Sequence, residues 1–257
     1  MRFVADRLFE IWIAITFLTR IPVPGWRKEF DPKAFDNATW AYPLVGGLVG
    51  AVGGGVYWLG LELGLPLLAA AALAIVLQIV TTGCFHEDGL ADFLDGIGGG
   101  LTVERRHEIM RDSRIGSYGS AGMIAGILIR TSLLTAITDG ATGFMVLVMI
   151  GLVGRAAPVG LMLFIPASPT HGGKRTAVHR TPLAGYVAVA IAICAPFLAL
   201  SPAMAGGVIA GGVAGGIVVG RLIRRLLDGY TGDALGACEQ FSEMFGLLAI
   251  AILLGSG

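Results

Sequence analysis

Long apolar runs alternate with short polar segments along most of this chain. Seven of the runs are long enough to cross roughly 30 Å of hydrocarbon as helices. The pattern predicts spans at Ala38–Leu65, Pro66–Phe85, Gly119–Thr138, Ala141–Pro166, Pro182–Leu200, Ala203–Leu227 and Phe241–Leu254. An eighth apolar stretch, Leu8–Val23, is interrupted by Glu10 and Arg20 and reads as an interfacial or re-entrant helix, with Trp12 and Trp26 as interface anchors. The same interruptions, with no small-residue cleavage site after them, argue against a signal peptide. The fold class expected is all-α: a polytopic membrane helix bundle of about seven transmembrane helices in one domain, residues 1–257.

Composition agrees. Of 257 residues, 55% are hydrophobic and 14% charged, which excludes an ordinary soluble domain. Many of the 40 glycines sit inside apolar runs, as in GGVIAGGVAGG from Gly206 to Gly216, where small residues suit a helix packed closely on another. A formal net charge of zero predicts no nucleic-acid partner. Cys84, Cys194 and Cys238 form no CxxC pair and read as small hydrophobes. No internal repeat favours an inverted-repeat transporter.

The distribution of charge predicts orientation. Every Lys and Arg except Arg130 and Arg155 falls before the first span, between spans two and three or four and five, or, as Arg221, Arg224 and Arg225, at the end of span six that leads to span seven. By the positive-inside rule these segments are cytoplasmic, the N-terminus is inside and the C-terminus outside. The expected location is a bacterial or archaeal cytoplasmic (inner) membrane. Were Leu8–Val23 also a span, Arg2 and Arg7 would lie on the wrong side.

The candidate chemistry centres on FHEDGLADFLDG, Phe85 to Gly96. On a helix Asp88, Asp92 and Asp95, spaced i, i+4, i+7, share one narrow face. Like charges that close repel, and a divalent cation held by oxygen ligands removes the repulsion; a solvated acidic helix start is the plainer alternative. The segment continues as ERRHEIMRDSRIGSYG, in which Arg111, Arg114, Ser113 and Ser117 offer guanidinium forks and hydroxyls to a phosphate. Carboxylates beside arginines and glycines suit a metal-assisted phosphoryl or phosphodiester transfer on the cytoplasmic face. Arginines that only set orientation are the alternative.

Arg130 and Arg155 lie within spans, where each should meet a carboxylate or a polar cavity; Arg155 is the better substrate-binding candidate, and a structural ion pair is its rival reading. SPTHGGKRTAVHR carries His171, Lys174, Arg175, His179 and Arg180 beside paired glycines, as a phosphate cradle, a lid or a basic loop that sets topology. Asp233 in DGYTGDALGA reads as a helix cap or as a further contact to the site from across the bundle. His86 could ligate or accept a proton only if the helix begins after it.

Several of these segments resemble one family. FHEDGLADFLDG, IMRDSRIGSYG and YTGDALGA, with FLTRIPVP, YPLVGGLVG and GRAAP, are similar to cobalamin synthases, the adenosylcobinamide-GDP ribazoletransferases, over nearly the whole chain. The resemblance implies a membrane enzyme that joins adenosylcobinamide-GDP to alpha-ribazole or its 5′-phosphate and releases GMP, with Mg2+ as cofactor. It makes Asp88, Asp92 and Asp95 the expected metal and catalytic residues, with Asp112 and Asp233 completing the site. His86, Arg111, Ser113, Arg114, Ser117 and Arg155 would bind substrate. Glu87 ranks below the aspartates, as a variable position. The expected partners are these substrates and the lipid bilayer, with a homo-oligomer left open. The acidic pattern is also reminiscent of CDP-alcohol phosphatidyltransferases, but the arginine of their DG-xx-AR motif is missing, since Asp92 follows Ala91. That enzyme class and a cation-coupled transporter with mid-bilayer carboxylates are the rival functions.

Overall fold

A computed structural model describes residues 2–24, 32–170 and 182–255. Trp26, Arg27, Lys28, His171, Lys174, Arg175, His179 and Arg180 lie outside the described residues. The elements run α1 (Arg2–Leu18), α2 (Pro32–Asn37), a 3₁₀ turn (Ala38–Ala41), α3 (Tyr42–Glu62), α4 (Leu67–Thr82), α5 (Phe85–Gly99), α6 (Val103–Met110), α7 (Ser117–Leu134), α8 (Gly140–Phe164), α9 (Pro182–Cys194), α10 (Pro196–Ala199), α11 (Pro202–Leu226) and α12 (Gly232–Gly255). The described residues are all-α, apart from one pair of backbone hydrogen bonds that joins 166–168 to Tyr230.

Among the described residues four helical stretches are long and apolar enough to cross a membrane: Ala34–Glu62, α8, α11 and α12. A fifth is obtained if α4 and α5, which meet at 88°, count as one broken span. The count of seven is therefore not reached by length and apolarity alone. The remaining expected spans are helical but shorter or interrupted. Pro196, for example, begins a separate short helix where Pro182–Leu200 was expected to be continuous, because proline lacks the N–H that would extend the ladder.

α8 is the most enclosed span, packed against α3, α9, α11 and α12. Glycines set the helix spacing. A Cβ on Gly46 of α3 would lie 2.1 Å from the Gly151 carbonyl of α8, and one on Gly211 of α11 would lie 2.3 Å from the Gly246 nitrogen of α12. Close backbone approach of this kind is how spans associate where lipid is as apolar as the side chains. Gly211 and Gly215 thus realise the close packing expected of GGVIAGGVAGG, with Gly215 abutting Ser242.

The N-terminal helix keeps its polar residues paired. Glu10 is buried, accepts the Trp40 indole N–H at 2.6 Å and lies 2.7 Å from Arg7 Nη1. Phe17 of α1 packs edge-on against Phe85 at the start of α5.

The turn that matters for function lies between α4 and α5. Gly83 and Cys84 both adopt positive φ, 67° and 62°. Glycine takes this conformation without steric penalty, and it caps α4 through bonds from the Gly83 and Cys84 N–H groups to Val80 and Ile79. The chain turns through nearly a right angle there, and α5 lies across the end of the bundle rather than prolonging the span.

Candidate active site

The acidic motif forms α5, and its residues point in three directions. Asp88 is exposed, Asp92 half-buried and Asp95 buried. Across from them, α12 approaches so closely that a Cβ on Gly89 would meet the Cα atoms of Gly236 and Asp233 at 3.2 and 3.3 Å. This contact places the carboxylate of Asp233 within electrostatic reach of both Asp92 and Asp88. Asp233 is not the helix cap: the Thr231 hydroxyl accepts the Ala234 N–H at 3.1 Å, and Asp233 lies in the first turn of α12. Of the two readings of Asp233, the contribution from across the bundle is the one the geometry supports.

Asp95 departs from expectation. Its Oδ2 accepts the Gly116 N–H at 2.7 Å and its Oδ1 the Gly119 N–H at 2.9 Å. The carboxylate thereby caps the N-terminus of α7, where unpaired N–H groups and the helix dipole favour a negative charge. Neither glycine tolerates a side chain, since an added Cβ would come within 2.4 and 2.3 Å of Asp95 oxygens. Among the described residues no three His, Cys, Asp or Glu side chains gather closely enough to hold an ion. The expected trio Asp88, Asp92 and Asp95 is not assembled as a ligand cluster: both Asp95 oxygens are engaged by the α7 N-terminus, although Asp95 remains within electrostatic reach of Asp92. Asp88, Asp92 and Asp233 lie within electrostatic reach of one another, and oxygen donors of this kind suit a hard cation, although as placed the three form no ligand cluster.

Asp95 also fixes the phosphate-binding candidates. By holding Gly116 and Gly119 it brings the 111–119 segment against the C-terminal half of α5, where a Cβ on Gly98 would meet the Tyr118 ring at 2.7 Å. Arg111, Ser113, Arg114 and Ser117 are exposed on this segment. Asp112 is turned to Arg114, with Oδ2 2.7 Å from Nη2. Those hydrogen bonds hold the Asp112 carboxyl at about 2. A carboxylate so stabilised is a poor proton acceptor, and Asp112 is set aside as a base.

Two expected substrate-binding residues are placed elsewhere. α5 begins at Phe85, so His86 is inside the helix, buried, and turned from the exposed aspartate face toward Arg155, Arg130 and Glu243. Arg155 is also buried, where Nη1 lies 2.5 Å from Glu239 and meets Glu243. Arg130 pairs with Glu87 at 3.0 Å and Glu243 at 2.9 Å, and Gln240 donates to Glu87 and Glu239. The structural ion pair, rather than substrate binding, describes Arg155. This network ties α5, α7, α8 and α12 together behind the aspartates.

Glu239 and Glu243 are the residues that sequence reasoning missed, and Glu87, ranked below the aspartates, joins them in this network. The last span was begun at Phe241, beyond Glu239, whereas α12 begins at Gly232; two acids spaced i, i+4 inside an apolar helix were the available signal. Carboxylates therefore do lie inside the bundle, as a cation-coupled transporter would have them, but Arg130 and Arg155 engage all three. A second missed cluster joins α6 to the loops that follow α8 and α11. Asp228 Oδ1 lies 2.9 Å from His107 Nε2 and accepts the Ser168 hydroxyl at 2.5 Å, and its other oxygen accepts from Thr170. Burial raises the Asp228 pKa, but these hydrogen bonds outweigh it and bring the group from 3.8 to about 2.

With this geometry in place, comparison with known proteins identifies its setting. The profile of the family described as cobalamin-5-phosphate synthase matches residues 10–251. The chain belongs to that family. It is 36% identical to the adenosylcobinamide-GDP ribazoletransferase of Mesorhizobium japonicum over 97% of this chain and 95% of the relative. It is 40% identical to the enzyme of that name from Bradyrhizobium diazoefficiens, over 94% of this chain and 93% of the relative. The protein of that name from Shewanella pealeana is 37% identical, over 96% of both chains. No solved structure matches. Membership of this family, with its apolar helices, makes the chain a multi-pass membrane protein.

Proposed function

We propose that this chain is an adenosylcobinamide-GDP ribazoletransferase, joining adenosylcobinamide-GDP to alpha-ribazole or its 5′-phosphate with release of GMP. The observation that supports the reading is the approach of α12 to α5 at Gly89 and Gly236, which brings Asp233 within electrostatic reach of Asp88 and Asp92. In the reaction a ribazole hydroxyl oxygen bonds to the phosphorus on the corrinoid side of the diphosphate. The bond from that phosphorus to the bridging oxygen breaks, and the hydroxyl proton passes to a carboxylate.

Asp88, Asp92 and Asp233 would hold a magnesium ion, which when bound neutralises charge on the diphosphate. Asp95 holds Gly116 and Gly119 and so fixes the segment that carries Arg111, Ser113 and Ser117. Arg111 presents a planar fork suited to the departing GMP phosphate. With Asp112 engaged by Arg114, the proton goes to one of the carboxylates shared between α5 and α12.

We further infer seven crossings, α3, α4, α7, α8, α9–α10, α11 and α12, with α5 along the interface and the site cytoplasmic. The placement of the basic residues supports this orientation. The departure at Asp92 from the CDP-alcohol motif weighs against a phospholipid synthase. Purified protein in lipid vesicles should release GMP from adenosylcobinamide-GDP only with magnesium and ribazole present. CMP release from a CDP-alcohol, or solute flux with no chemical change, would overturn the assignment.

A further inference from the structure

A groove of about 500 Å³ runs along the outside of the bundle between α8, α9 and α11. It lies within the roughly 300–1,000 Å³ of small-ligand sites. Its walls are apolar along most of its length, with Val153, Ile193 and Val213 among them, but one end is closed by Arg221 and Arg224. From Ile209 to Arg224 the groove follows α11 for about 22 Å at 1.5 Å per residue, roughly three-quarters of a 30 Å hydrocarbon core. The lining contains no acidic residue. Among the described residues neither guanidinium is within ion-pair distance of a carboxylate, unlike Arg114, Arg130 and Arg155.

An apolar trough long enough for an acyl chain, ending in two cations that have no ion-pair partner among the described residues, has the charge and shape complement of one lipid class. We propose that this groove binds an anionic phospholipid, with an acyl chain along α11 and the phosphate between Arg221 and Arg224. The arginine end is on the same side of the bundle as the aspartates, because α11 leads directly through residues 227–231 to Asp233. That end is where phosphate oxygens of one leaflet would lie, and basic residues at such a level favour anionic headgroups. The groove contains none of the residues assigned to ribazole transfer, so the lipid site stands apart from that reaction.

The test is native mass spectrometry of the full chain, released from detergent after loading with phosphatidylglycerol or phosphatidylcholine of identical acyl chains. The wild type should retain phosphatidylglycerol roughly thirtyfold more than phosphatidylcholine, the preference two basic residues near an anionic headgroup supply. Arg221→Gln with Arg224→Gln should abolish that preference while leaving phosphatidylcholine retention unchanged. Gly216 lies on the groove wall with nothing within 4 Å of an added Cβ, so Gly216→Leu should fill the trough and reduce retention of both lipids. Equal retention of the two lipids by the wild type would overturn the proposal. So would a preference that survives the glutamine pair, or a second copy of the chain in place of lipid. The glutamine pair changes only exposed side chains, and it decides the matter even if the leucine variant is poorly recovered.

Discussion

The Oδ1 of Asp95 accepts the Gly119 N–H at 2.9 Å across 24 residues of chain, joining the acidic helix to the start of α7. The bond leaves no room for a side chain at position 119, where an added Cβ would stand 2.3 Å from Asp95 and 2.7 Å from the Ala91 carbonyl. Gly119→Ala should therefore destabilise the protein by about 1–3 kcal/mol, the usual cost of overpacking. It should also lower GMP release more than the loss of folded protein explains, because the 111–119 segment moves with the α7 terminus. Thermal unfolding in detergent, with turnover per folded molecule, separates the two effects.

Asp88 and Asp92 are exposed or half-buried and, among the described residues, make no structural bond comparable to that of Asp95. Asp88→Asn and Asp92→Asn should leave insertion and thermal stability intact while reducing turnover about 10²–10³-fold, the scale of losing one preorganised electrostatic contact. Asp233→Asn should behave as they do. Wild-type turnover in Asp233→Asn would remove α12 from the site. Chelation of divalent ions should abolish GMP release in the wild type, and magnesium should restore it.

Much of this was legible in the sequence, and the reasons differ from one feature to the next. Hydrophobic run length found the helices, and α8 and α11 begin and end within two residues of expectation, since an apolar span must match the bilayer. The acidic face was legible because i, i+4, i+7 spacing is a local property of a helix. The partner of that face was legible only as one of two readings of Asp233: its coming within electrostatic reach of Asp88 and Asp92 depends on Gly89 and Gly236 permitting close approach, which spacing along one helix does not encode. Arg155 illustrates the other limit. Its need for a carboxylate follows from burial in lipid, but whether that carboxylate belongs to protein or substrate depends on where Glu239 and Glu243 fall.

Arg155 bound within a buried network predicts a phenotype different from that of a substrate contact. Removing one partner from a buried, hydrogen-bonded pair typically costs about 3–5 kcal/mol, because the other charge is stranded. Arg155→Met should be strongly destabilising, and Arg155→Met with Glu239→Leu should cost less than the sum of the two single changes. Denaturant unfolding of the four-member cycle measures the coupling. The fraction of Arg155→Met that folds should keep a near-normal KM for adenosylcobinamide-GDP; a KM raised tenfold or more would return Arg155 to the substrate.

Asp228, in the loop between α11 and α12, gives a pH-dependent signature. Its carboxyl is held at about 2 against an ordinary 3.8, with Ser168, Thr170 and His107 as partners. A depressed folded-state pKa stabilises above the unfolded value and loses that stabilisation as pH falls through the folded one. The contribution of Asp228 should therefore be constant from neutral pH to about 4 and fade between about 4 and about 2. Asp228→Asn removes a carboxylate that accepts several hydrogen bonds and should cost about 1–3 kcal/mol at pH 7. Unfolding midpoints of wild type and variant should run parallel down to about pH 4 and converge below it. A gap that stays open at the lowest pH would mean that shape rather than charge joins α6 to the α11–α12 loop.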